Sequence, residues 1–174
     1  MSAVMQREQL SICITEASSA IARLSDRFDE SAMIKRALLG LGAYCARRAP
    51  QYFSAARELL DAAEVQAQGG EEIDLVNAAE KIIGTGDVYT SAEQKAADAA
   101  AFAATGNADY AYKTALVAIH DFAMRTSRSF PTREIAIAYA EKCMEGARAQ
   151  MDAEIMRVYC ALAIETDPYS IFGD

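Results

Sequence analysis

Side chains that can do chemistry are scarce in this sequence. There is one histidine, His120, no tryptophan, and four cysteines, Cys13, Cys45, Cys143 and Cys160, without a CxxC pair. One helical turn from His120 stand Leu116, Val117, Ala123 and Met124. No carboxylate or thiol occupies those positions. A general base needs a partner that orients its imidazole, and a zinc site needs three or four ligands. His120 therefore reads as a side chain at a helix–helix seam. If the chain were a helical enzyme or a small-ligand binder, it would work through an inter-helix pocket near His120, with partners brought by distant helices.

Carboxylates are more plentiful. Glu58, Asp61 and Glu64 recur every three residues, and Glu71, Glu72 and Asp74 follow closely. A diiron bundle needs Glu-x-x-His pairs on two helices, which one histidine cannot supply. A calcium loop alternates acids around a glycine over about twelve residues, and GGEEIDLVNAAE fails at its early ligand positions. No metal and no cofactor is expected. The six acids read instead as an exposed acidic face, partly offset by Arg57, that suits a basic protein partner.

Two glycine pairs also fall short of a nucleotide site. Gly40-Leu41-Gly42 lies in an apolar helix-like run and follows no strand, so a dinucleotide fold is excluded. Gly84-Thr85-Gly86 lacks the Lys-Ser/Thr of a phosphate loop. Arg125, Arg128 and Arg133 bracket Ser-Phe-Pro and read either as helix-end charges or as a small basic spot. The tail DPYSIFGD carries Tyr169, Ile171 and Phe172 outside any helical pattern. These three either fold back onto the body or form a contact surface.

The elements that must position these groups are helices. Of 174 residues, 37 are alanine, the strongest helix former. Alternating β-branched runs bounded by turns are absent. Hydrophobic residues make up 52% and charged ones 24%, which argues against wholesale disorder. The expectation is an all-α single domain over residues 1–166, with about seven or eight short helices in a helical bundle or stacked helical hairpins. Residues 167–174 are expected to form an irregular C-terminal tail.

Breakers divide the chain at Pro50, Gly69-Gly70, Gly84 to Gly86, Gly106, Pro131 and Pro168. The expected helices run from Val4 to Leu24, Ser31 to Arg48, Gln51 to Gln68, Ile73 to Ile83, Thr90 to about Thr105, Asn107 to about Arg128, and Thr132 to Glu165. A turn near Gln150 would split the last one. Leu10, Cys13, Ala17, Ile21 and Leu24 give the first helix its apolar stripe. Thr90 with Glu93, or Ser91 with Gln94, supplies a capping box. The stretch AAFAATGNADYAYKTALVAI, with small Ala99 three residues before Phe102, a turn at Gly106, and Ala111, Ala115 and Ala118 beyond it, resembles a tetratricopeptide helical hairpin. YCALAIETDPYS resembles the closing half of one. No steady 34-residue period accompanies them.

Net charge is −8 and uneven: residues 51–100 carry ten acids and three bases, a net of −7. Nucleic acid is excluded, since phosphate binding needs a basic surface. The longest apolar stretch, Ala37 to Ala46, is shorter than the roughly 20 residues a bilayer requires, so no membrane association is expected. Neither a leader nor a disulfide pattern is evident, and a cytoplasmic setting is the default. The favoured function is non-catalytic protein binding, as an adaptor or as an acidic neutralising protein that resembles immunity or antitoxin proteins in composition alone. Cys143, Met144, Met151, Met156 and Cys160 read first as core packing, with the seam of a homo-oligomer as the third reading.

Overall fold

In the computed structural model the described residues are 17–84 and 91–170. All their regular structure is helical. The elements are α1 (Ala17–Asp26), α2 (Ala32–Arg47), α3 (Ser54–Ala67), α4 (Val76–Glu80), α5 (Ala92–Ala104), α6 (Ala108–Thr126) with a 3-10 turn at Ser127–Ser129, and α7 (Arg133–Ala163). The chain is an all-α helical bundle.

α2 is its axis. Every residue from Ala37 to Cys45 except Tyr44 is buried, so this helix is apolar nearly all round and must be enclosed. It packs against α3, α5, α6 and α7. In a solenoid each unit would touch only its chain neighbours, so these long-range pairings make a bundle. The α2–α5 approach depends on small residues. A Cβ on Gly42 would sit 3.0 Å from Ala103 Cα, and all eight alanines of α5 are buried.

The caps follow local chemistry. Ser31, Ser91, Asn107 and Thr132 each accept the backbone N–H three residues on. Ser91 with Gln94 is thus the observed start of α5, and Thr90 lies outside the described residues. Gly106 takes a φ of 82° between α5 and α6, and a Cβ there would strike the Phe28 ring. From the first apolar stripe, Ala17, Ile21 and Leu24 are buried, while Leu10 and Cys13 lie outside the described residues.

Three expected boundaries differ. α3 begins at Ser54, not Gln51, because the chain after Pro50 stays extended, with Phe53 at φ −88° and ψ 127°. α4 spans only Val76–Glu80. Side chains claim the backbone groups a longer helix would use: the Gln66 amide donates to Ile73 O (2.6 Å), and Asp74 Oδ1 accepts the Val76 N–H (3.0 Å). The turn near Gln150 is absent, and α7 runs unbroken for 31 residues. That region holds no proline and no cap, and Gly146 stands in open space, so nothing there stops a helix.

α7 is unequal along its length. Met151, Ile155 and Val158 are fully buried, whereas before Met151 only Ala136 and Ala140 are. Of the proposed sulfur-rich seam, Met151 lies in the core and Cys143 and Met144 pack against it. Cys160 is exposed.

The α3–α4 flank as candidate functional site

α3 buries Ala56, Leu59, Leu60, Ala63 and Ala67 against α2 and α5. Its opposite face shows Glu58, Asp61 and Val65 to solvent. The helix ends in a Schellman turn. Gly69 adopts φ 90°, and the Gly70 N–H reaches back to Val65 O at 2.8 Å. Gly70 must be glycine for room: a Cβ would lie 2.5 Å from Val65 Cγ1. The chain then exposes Glu71, Glu72, Ile73 and Asp74 before α4. Leu75 and Ala79 pin this segment to a small second core with Leu59, Ala63, Ala101 and Ala104.

The six acids do not all stand free. Arg47, at the end of α2, donates to Asp61 (2.5 Å) and to both oxygens of Glu64. Those bonds, Glu64 first, raise the arginine's own proton affinity. Lys35 pairs with Glu72 at 3.3 Å and lies 5.4 Å from the centre of the Phe28 ring. Asp74 is committed to the α4 start. Glu58 and Glu71 form no ion pair among the described residues. Arg57 turns instead to the carbonyls of Gln51 and Tyr52.

Charge and apolar exposure coincide on this flank. Residues 51–84 carry seven acids and two bases, a net of −5. Among the described residues, twelve large apolar side chains are exposed, and six of them, Tyr52, Phe53, Val65, Ile73, Val76 and Ile83, fall within this stretch. Ile73 and Val76 also line a hollow of about 410 Å³ with Phe28, Lys35, Gln66 and Glu72.

His120 is on a different face. It lies on α6, its side chain 33% exposed, with Nδ1 3.9 Å from Asp121 Oδ1, beyond hydrogen-bond reach. Asp121 is held by Lys95. The nearby hollow is an open groove of about 680 Å³ between Ser91–Glu93 and Asp121–Arg128, and His120 does not line it. No group of three or more His, Cys, Asp and Glu side chains with metal-site geometry exists among the described residues.

Of the three arginines, Arg125 makes a forked bond to Glu93 (2.5 and 2.9 Å). That bond, with help from Glu93's own backbone N–H, holds the carboxyl down to about 2. Arg128 lines the same groove, and Arg133 opens α7 on the far side of Pro131. The tail residue Tyr169 folds back onto the body. Ile171 and Phe172 lie outside the described residues.

Sequence reasoning missed Arg47, Lys35, Gln66 and Arg36. Arg47's two acidic partners are 14 and 17 residues away, beyond any local pattern. None of the described helices is long and apolar enough to cross a membrane. Compared with known proteins, the chain matches no family model, no curated protein and no solved structure.

Proposed function

We propose that this chain is a non-catalytic protein-binding domain whose α3–α4 flank takes a basic partner. The supporting observation is the overlap, in residues 51–84, of net charge −5 with half of the large apolar side chains exposed among the described residues. Apolar contacts supply affinity at the centre of an interface, and complementary charge steers and registers it. A neutralising protein of the immunity or antitoxin kind is one concrete form of this activity, set in the cytoplasm. Glu58 and Glu71 are its most available charges, because Arg47 and Lys35 already engage their neighbours.

The test is partner retention from an extract of the native host at low salt. Glu58→Lys with Glu71→Lys spares every ion pair among the described residues, so the fold should survive. Retention should fall about tenfold or more, since like charges at an interface cost several kcal/mol. Equal retention by the reversed protein would end the proposal.

A second reading, small-ligand binding, has one observation in its favour. The 410 Å³ hollow is of ligand-pocket size, roughly 300 to 1,000 Å³, and carries Lys35, Gln66 and Glu72 among apolar walls. It lies away from His120. A metabolite-mixture thermal-shift screen in which Lys35→Ala abolishes a shift would favour it over the protein-binding reading.

A further inference from the structure

The chain leaves α7 through a residue ill-suited to the turn it makes. Glu165 has a φ of 56°, which glycine adopts freely and a side-chain-bearing residue does not. The turn is closed by the Glu165 N–H to Leu162 O (3.1 Å) and the Thr166 N–H to Ala161 O (2.9 Å). It reverses the chain so that residues 167–170 lie back against α2.

One carboxylate holds this return. Asp167, with only 15% of its side chain exposed, accepts Arg36 Nε (3.1 Å) and Nη2 (2.8 Å) on Oδ2. Its Oδ1 accepts the N–H groups of Tyr169 (3.1 Å) and Ser170 (3.2 Å). Arg157 donates to the Pro168 carbonyl (3.1 Å) and stands 5.1 Å from the centre of the Tyr169 ring. The ring fills the space over Gly40, where a Cβ would approach within 2.4 Å of it. Cys45, five residues on along α2, is fully buried and close enough to Tyr169 to raise the hydroxyl's proton affinity.

Two features oppose the seated state. Glu165 is strained, and the Tyr169 hydroxyl is buried without a hydrogen bond of good geometry. A buried polar group left unmatched favours any opening that returns it to water. Against these stand the Asp167 contacts, the Arg157 bond to the Pro168 carbonyl and the packing of the Tyr169 ring over Gly40.

We propose that residues 165–170 form a strap that seats and lifts as a unit, keyed by the Arg36–Asp167 contact, and that lifting it opens the α2–α7 seam at Gly40 and Cys45 while the bundle stays folded. Local opening of this kind is expected where a short segment closes over a core chiefly through one ion pair and one ring. It is independent of the α3–α4 reading.

The test is iodoacetamide labelling of Cys45 in the full chain, resolved by peptide mass spectrometry, alongside amide exchange of α5 and α6. Asp167→Asn should speed Cys45 labelling about tenfold or more, the scale of losing a charge-assisted bond, while exchange in α5 and α6 is unchanged. Arg36→Gln cuts the same contact from the other side and should act alike, which covers a failure of the first variant to fold. Tyr169→Phe removes the unmatched hydroxyl and should label no faster than wild type. An unchanged rate in both Asp167→Asn and Arg36→Gln overturns the strap. So does a matching rise in α5–α6 exchange, which would make Cys45 exposure a matter of global unfolding, or faster labelling in Tyr169→Phe.

Discussion

The α2–α5–α6 centre and the α3–α4 flank use the same alanine-rich vocabulary to opposite ends. At the centre, alanine and glycine face inward and let helix axes approach until Gly42 nearly meets the Ala103 backbone. On the flank, three of the alanines of α3 line its inner face, and much of the outer face is given to acids and stranded aliphatics. The centre gains stability from dispersion and burial, which tolerate no added volume. The flank keeps one face unpartnered, and that is where a binding function can reside without disturbing the fold. The difference shows that small residues specify packing distance, while placement of the large and charged ones specifies which face remains open.

The strongest way to break this comparison is Gly42→Leu. Its side chain would push α2 away from the α5 backbone, and a loss of about 3 kcal/mol is expected from overpacking. Urea unfolding would measure it, and a loss under about 1 kcal/mol would refute the close-approach account. Next in size is Ser91→Ala, which deprives α5 of the acceptor for the Gln94 N–H. About 1 kcal/mol should be lost, by the same measurement, with the flank's exposed surface unaffected.

Arg47→Ala sharpens the contrast from the other side. It frees Asp61 and Glu64 and should cost only about 0.5 kcal/mol, because the pairs are largely solvent-screened. Retention of a basic partner should rise at low salt, and a fall would place Arg47 itself in the contact. The smallest effect concerns pH. Glu93 is held down to about 2 against an ordinary 4.5, through Arg125. Its contribution is therefore full above about pH 4.5 and disappears as the pH falls toward 2. Glu93→Gln should melt lower than wild type at neutral pH, and the gap should close in that acid window. A gap constant with pH, followed by calorimetry, would show that the pair does not stabilise the fold.

Much of the architecture was legible because its signals are local. Ser31, Asn107 and Thr132 announce helix starts from their own side chains, and Gly69 and Gly106 mark turns that need positive φ. α4 came out shorter than its periodicity suggested, since Gln66 and Asp74 capture backbone groups that a sequence pattern leaves to the helix. α7 stayed whole because a polar composition near Gln150 is not a helix stop. The acidic residues were readable as a set. Their division into paired and free members was not, because Arg47 and Lys35 reach them across the fold.

What this sequence determined by itself was helical content, most helix ends, the enclosed character of residues 37–46 and the acidity of residues 51–84. Each follows from short-range preference, capping or composition. Only the tertiary structure decided that α2 is the axis, that Glu58 and Glu71 form no ion pair and His120 no orienting bond among the described residues, and that Asp167 ties the tail to Arg36 across 131 residues. Those outcomes depend on which distant surfaces meet, and chain-local chemistry carries no record of that meeting.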